Sequence, residues 1–368
     1  MNYPQLEINL RKLQYNAKIE VDSFSKMGIT IMGVNKVFNG LYETAEAMVN
    51  AGMPVVAEAM VSNLKKLRNL PCEKALLRSP ALSEIEDVIR YADISLNSEI
   101  SIVKALSLEA VKQNKIHKIL IMLDLGDIRE GIWFENKSEI ENFISEVLSL
   151  PNIEIYGLGT NFNCYGTVLP TIENNNLFVS ISKELENKFN IKFKYLSAGN
   201  ATSYYLIEKK ILPPEINHLR VGCLHQFGIE YVFGKYLDQY YHSDMDIKKF
   251  VSNLYILKAE IIELNIKPTI PFGELSFDGF MQKKSFVDLG NRKRAVLALG
   301  RQDVPFENIH ATDVSIKIIG QSSNHTIIDI EDCLTQYKLG DIISFEIDYT
   351  ALLFICNSHL IEKCFVYD

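Results

Sequence analysis

A lysine, two arginines and two turns of small residues are the features of this 368-residue chain that could do chemistry. Lys36 closes the apolar run ITIMGVNK, just before a Phe-Asn-Gly turn. A lysine there is either a solvated charge ending a strand or an amine held for carbonyl chemistry, as in Schiff-base enzymes. Residues 197–203, SAGNATS, put Asn200, Ala201, Thr202 and Ser203 where a short helical pattern begins. This is either an ordinary N-cap or a phosphate cradle in which N–H groups face an anion. Gly222 and Cys223, which end LRVGC, offer a second set of exposed amides. Arg220 lies just before them on an apolar flank, and a buried guanidinium needs an acceptor. Arg129, in DLGDIREG (124–131), is the second arginine. For both arginines the plain alternative is a surface ion pair of little energetic weight.

These residues meet only if the fold brings them together, and the hydrophobic pattern predicts that it does. From residue 29 onward, short apolar runs alternate with helical periods: strands at 29–35, 54–57, 74–78, 93–96, 118–124, 153–159, 192–197 and 217–222. Roughly eight βα units in about 210 residues match the requirement of a closed (β/α)8 TIM barrel, an α/β fold. An open doubly wound sheet is the alternative, but no GxGxxG follows the first strand. After about residue 240 the texture changes to β-branched runs with short turns at 258–264, 284–289, 294–299, 313–319, 325–330, 341–347 and 352–355. This predicts a barrel domain over 1–240 and an all-β domain over 241–368, with a first strand near 5–10 joining the β domain. In a barrel, chemistry gathers at the carboxyl ends of the strands, and that is where Lys36, 124–131, 159–166, 197–203 and 219–223 all fall.

Composition narrows the partners. The chain carries 38 Lys+Arg against 46 Asp+Glu, a net charge of −8, which argues against nucleic acid as a partner. Its apolar runs are strand-sized, so no membrane span is expected. Six scattered cysteines without CxxC pairing, and an N-terminus without signal-peptide features, predict a reduced, cytoplasmic protein with no metal site. A lysine, a phosphate cradle and two arginines in one barrel mouth point to pyridoxal 5'-phosphate (PLP).

The sequence then resembles the fold-type III PLP enzymes, the alanine racemase family, and most closely its ornithine racemase-like branch. The likeness runs through YPQLEINLRKLQYNA, LLRSPALSEIEDVIRYADISLNSE, DLGDIREG, NFNCYG, SAGNATSYYLI, LRVG, RKRAVLALGRQD, IIGQSSNHTIIDI and YKLGDIISF in order. The resemblance implies that Lys36 carries the Schiff base and that Arg220 donates to the pyridine nitrogen. It further implies that Arg129 approaches the ring's phenolic oxygen, and that Asn200, Ala201, Thr202, Ser203, Gly222 and Cys223 hold the phosphate. Asn161 stands where alanine racemase has a histidine. The implied activity is racemisation of an amino acid, with ornithine or another basic one as the expected substrate. Lys36 would act on one face of Cα and a second acid/base on the other. In the family that second group is a tyrosine of the partner's β domain, which implies a head-to-tail homodimer with shared sites. Here the stretch GELSFDGF (273–280) has Phe277 and no tyrosine, leaving Asp278, His325 and Tyr349 as candidates. SSNH also departs from the branch, with Asn324 in place of an aspartate. A fold-type III lyase or aldolase, which needs no second-face base, stays open, as does a PLP-binding protein without turnover.

Overall fold

A computed structural model describes residues 2–228 and 250–368. The chain divides into two compact units, Leu10–Ser252 and Met1–Asn9 with Asn253–Asp368. The expected boundary at 240/241 lies outside the described residues.

The chain opens with β1 (Gln5–Asn9) and α1 (Leu10–Ser25). It continues through β2 (Thr30–Val34), α2 (Tyr42–Asn50), β3 (Val55–Glu58), α3 (Val61–Lys66), β4 (Glu73–Leu76), α4 (Ile85–Tyr91) and β5 (Ile94–Asn97). Next come α5 (Ile100–Lys112), β6 (His117–Asp124), the two-residue β7 (Ile132–Trp133), α6 (Lys137–Leu148), β8 (Ile153–Thr160) and α7 (Ile172–Phe189). The unit ends with β9 (Tyr195–Ala198), α8 (Tyr204–Glu208), β10 (His218–Val221) and α9 (Cys223–Phe227). The parallel order β5-β4-β3-β2-β10-β9-β8-β6 closes through β5–β6 pairing, so eight strands form a barrel. The short β7 adds to β6 outside the ring.

The strands read as unbroken apolar runs because both of their faces are buried. On β6, Leu120 and Met122 pack inside the barrel while Ile119, Ile121 and Leu123 pack against the helices. All five are fully buried. Each such side chain contributes roughly 1.5–3 kcal/mol, so truncating Leu120 to alanine would cost about 2–5 kcal/mol. The alternation also sets the mouth of the barrel. On β2, Met32 and Val34 face inward, and Ile31 faces the helices.

In the second unit β1 pairs in antiparallel fashion with β11 (Tyr255–Pro268). The remaining strands are β12 (Asn291–Leu297), β13 (Ile309–Ala311), β14 (Lys317–Gln321), β15 (Thr326–Asp329), β16 (Ile342–Ile347) and β17 (Glu362–Val366). β1 also pairs in parallel with β17. Two expectations fail here. Residues 352–355 are not a strand but lie inside the helix α10 (Tyr349–Asn357). The run ALLFIC is apolar on every side, so its period is silent; Asp348, accepting from Ala351 N at 2.9 Å, supplies the N-cap that starts a helix. Ala351, Leu352, Ile355 and Cys356 then bury one helical face. Residues 284–289 form no strand either. Phe286, Val287 and Leu289 are exposed, and an alternating pattern without a partner strand buries nothing.

Candidate active site at the barrel mouth

Lys36 follows β2 at the level where Glu58 ends the neighbouring β3, as the pairing of Val34 with Ala57 requires. It opens a 3-10 turn, Lys36–Phe38, that ends on Asn39 in the left-handed region (φ 51°). Val37 and Phe38 are buried and anchor this turn, while Lys36 is exposed. A short lever on a packed turn is a rigid mount for an amine.

On the neighbouring strand β10, which pairs with β2, Arg220 is 6% exposed. Its Nη1 donates to Ser197 Oγ at 2.5 Å and to the Ser197 carbonyl at 3.3 Å. Its Nη2 donates to the Thr160 carbonyl and to Asn161 Oδ1, both at 2.8 Å. Every one of these acceptors is neutral. Burial, with the charge of Arg129 adding to it, pushes the guanidinium down to about 10. Glycine at 159 makes the room: a Cβ there would meet Met122 Sδ at 2.6 Å and Arg220 Nη1 at 3.7 Å. The arginine is backed by a histidine. Ser197 Oγ, which accepts from Arg220, also lies 2.8 Å from His218 Nδ1. Burial, and then the charge of Arg220, push His218 down to about 3, so it stays neutral.

The chain of polar contacts runs on from Arg220. Asn161 Nδ2 donates to Glu130 Oε1 at 3.0 Å. Arg129 forks its Nε and Nη2 onto the Glu130 carboxylate and places Nη1 2.9 Å from Cys164 Sγ. Burial opposes the charge on Arg129, but the Glu130 fork more than offsets it. A single line of contacts, His218–Ser197–Arg220–Asn161–Glu130–Arg129, therefore crosses the mouth from β10 to the loop after β6. Asp127 fixes that loop's approach to β8, accepting from Cys164 N at 3.1 Å and Tyr165 N at 3.2 Å.

The turn at 200–203 is capped by Asn200, whose Oδ1 accepts from Thr202 N at 2.8 Å and Thr202 Oγ1 at 2.7 Å. Ser203 Oγ donates to the Ala198 carbonyl at 3.1 Å. Both hydroxyl protons are thus used inside the protein, as are the Thr202 and Ser203 N–H groups, so a phosphate here would be held through the N–H groups of Asn200 and Ala201. The turn at Gly222 and Cys223 leads into α9, which is pinned from two sides. Gln226 Nε2 donates to the Val34 carbonyl at 2.5 Å, and the buried pair His225 Nδ1–Glu20 Oε2 (2.6 Å) ties α9 to α1.

The strand-end residues expected from the sequence are thus brought to one end of one barrel. Asp278, His325 and Tyr349 belong to the other compact unit. Asp278 is a turn carboxylate: it accepts from Gln282 N and Phe280 N, each at 2.9 Å, and Lys284 Nζ lies 3.4 Å away. The Gln282 amide leads these contacts in holding it below the usual carboxylate range. His325 is exposed, with Ser322 Oγ 3.2 Å from Nδ1. Tyr349 is half-buried at the start of α10.

Sequence reasoning missed Glu130, His218 and Glu58. The signal for His218 was present: it stands two residues before Arg220, so the two share a face of the strand. Glu58 closes VVAE where Lys36 follows the adjacent run.

The donor set fits PLP. An exposed amine stands on a rigid turn, and Arg220 is a buried cation whose hydrogen-bond acceptors among the described residues are all neutral. Its Nε–H is the guanidinium donor that has no acceptor among the described residues.

The family model "Alanine racemase, N-terminal domain" matches residues 8–227. The chain is 40% identical over 361 residues to an ornithine racemase of Acetoanaerobium sticklandii, covering 98% of this chain and 99% of that protein. It is 32% identical over 367 residues to a lysine racemase of Thermotoga maritima, covering 99% of each. Among solved structures, the alanine racemase of Bartonella henselae with covalently bound pyridoxal phosphate superposes with a TM-score of 0.74. It shares 15% identity and covers 100% of both chains. With more than half its length matched by the family model and near-complete coverage of two racemases, this chain belongs to the alanine racemase family.

Proposed function

We propose that this protein racemises a basic amino acid, ornithine or lysine, using PLP anchored on Lys36. The observation that carries the reading is near-complete coverage by an ornithine racemase at 40% identity, joined to a barrel mouth whose donors fit the cofactor. Bound PLP would supply an electron sink that acidifies the substrate's Cα–H.

The protein's own groups supply the rest. Lys36 Nζ takes the Cα proton on one face and returns a proton to that face in the reverse direction. Arg220, locked by Ser197, Thr160 and Asn161, would present Nε–H to the ring nitrogen. A guanidinium has no proton to give up near neutral pH, so the ring stays unprotonated and side reactions are disfavoured. Arg129, held by Glu130, would stand by the phenolic oxygen. The turns at 200–203 and at Gly222 and Cys223 would receive the phosphate. Inversion requires an acid on the opposite face. His325 and Tyr349 suit that role better than Asp278, which its turn keeps ionised.

A head-to-tail homodimer, with a partner's β unit completing each mouth, is the assembly this reading requires. Ile266, Phe272, Phe277, Val287 and Leu289 are all exposed on the second unit, which supports an interface there. The six cysteines are scattered without CxxC pairing, which supports a cytoplasmic location.

The test is incubation of the PLP-loaded protein with L- and D-ornithine, lysine and alanine in heavy water, following Cα deuteration and optical rotation. Deuterium exchange with inversion on a basic amino acid is expected. Exchange without inversion would point to the lyase or aldolase chemistry of the fold, and no exchange would defeat the proposal. Sedimentation of the loaded protein checks the dimer.

A further inference from the structure

The base of the Lys36 turn holds a buried carboxylate that the reaction, as described so far, does not use. Glu58 is the last residue of β3 and is fully buried. It shares the helix-facing side of its strand with Val56, which packs in the outer layer, whereas Val55 and Ala57 face the barrel interior. Three N–H groups converge on its two oxygens. Asn35 Nδ2 donates to Oε1 at 2.8 Å, Asn63 Nδ2 to Oε2 at 3.3 Å, and the Gly40 amide adds a backbone hydrogen bond. Asn35 and Gly40 are the residues on either side of Lys36 and its turn. The amides are themselves oriented: Thr44 Oγ1, from α2, donates to Asn35 Oδ1 at 3.0 Å. Lys66, from α3, donates to Asn63 Oδ1 at 3.0 Å and to the Asn39 carbonyl at 2.8 Å. Gly40, at φ +71°, is pressed so close to α3 that a Cβ there would lie 2.8 Å from Asn63 Cβ.

We infer that Glu58 is a positioning residue for Lys36, its carboxylate clamping both ends of the 36–40 turn. The inference rests on Lys36 being the reactive lysine of the proposed function. Ionised, the carboxylate has acceptor sites for all three donors, and a proton on either oxygen weakens its acceptance. The groups facing Glu58 are Asn35 and Gly40 from the turn, Asn63 and the Lys66 charge from α3, and the Leu77 amide, which binds the Glu58 carbonyl at 2.8 Å. Burial outweighs the three donors and Lys66, and raises the carboxyl to about 7. The clamp is therefore charged and strongest above neutral pH, and neutral and weaker below it.

Four measurements on full-length wild type, Glu58→Gln and Asn63→Ala test this. In PLP-loaded protein, Glu58→Gln is expected to lower kcat roughly 10- to 100-fold with KM little changed, because a misplaced base costs rate rather than binding. Asn63→Ala, which removes one arm, is expected to lower kcat less. In cofactor-free protein, the protection factors of the 36–41 amides, taken relative to the intrinsic exchange rate at each pH, are expected to be higher at pH 8 than at pH 6 in wild type, and low at both in Glu58→Gln. The infrared band of a protonated carboxyl that Glu58→Gln abolishes is expected to titrate near pH 7. Because the folded-state value is raised, the melting temperature of Glu58→Gln minus wild type is expected to grow as pH rises from about 4.5 to 7. Unchanged kcat in Glu58→Gln, or exchange of 36–41 that ignores pH and the substitution, overturns the inference. If Lys36→Ala keeps the visible imine absorbance, the reading of Lys36 as the anchor fails instead, and the exchange data still report whether the clamp exists.

Discussion

The barrel unit and the β unit treat their polar residues in opposite ways. At the barrel mouth, Arg220, Asn161, Ser197, His218 and Glu58 are buried and mostly bonded to more than one neighbour. In the β unit the three groups weighed for the second face are a turn carboxylate, an exposed imidazole and a half-buried phenol. The contrast separates two tasks. Anchoring a cofactor and a base needs atoms fixed to a fraction of an ångström, which strand ends with redundant hydrogen bonds provide. Supplying the second proton needs a group whose pKa is near working pH and whose surroundings can change with the substrate, and surface loops serve that end.

The strongest break in this contrast is Lys36→Ala. Losing both anchor and base is expected to abolish the visible imine absorbance and to lower racemisation by about 10⁴-fold or more, while circular dichroism stays unchanged. A retained absorbance would move the anchor elsewhere. Next are the second-face variants, His325→Gln and Tyr349→Phe. One of them is expected to slow inversion by roughly 10²–10⁴-fold while leaving Cα exchange from one face in place. Equal loss of exchange and inversion in both would place the second group outside this pair.

Arg220→Ala sharpens the barrel side. It strands acceptors at Thr160, Asn161 and Ser197, so a loss on the order of 3 kcal/mol in urea unfolding is expected, together with weaker PLP retention. A smaller effect comes from the buried histidines. Burial lowers His218 to about 3 and His117 to about 4. Both are neutral in the fold but protonate near 6.5 when unfolded, so stability falls as pH drops below 6.5. The slope is about 1 kcal/mol per pH unit for each. A His117→Asn, His218→Asn double variant should flatten that slope in thermal melts. Its sign is opposite to that of Glu58, which allows the two contributions to be told apart. Asp278→Asn is expected to do least: its stabilisation is present at neutral pH and is lost as pH falls below the usual carboxylate range, with inversion unaffected.

Much of the barrel was legible because both faces of its strands are buried. KILIMLD and VVAE read as strands in the absence of any alternation, and the βα rhythm then ordered the strand ends. Lys36, residues 197–203 and Arg220 followed from their place at those ends. The β unit was less legible. Residues 352–355 and 284–289 share an apolar composition with real strands, yet one segment was captured by the Asp348 cap and the other has no strand beside it. Local pattern reports what a segment could bury; the partner that accepts it lies far away in sequence.

The same division holds at the site. The sequence by itself determined the residue types and the strand ends that carry them: an amine after β2, small-residue turns after β9 and β10, an arginine on β10. Only the tertiary structure decided what those residues hold on to. It turned the hydroxyls of Thr202 and Ser203 inward, joined Arg220 to His218 through Ser197 and to Arg129 through Asn161 and Glu130, and set Glu58 beneath the Lys36 turn. Those contacts link residues from different strands and loops. They exist because burial leaves each polar group in need of a partner, and the closed ring is what brings partners within reach.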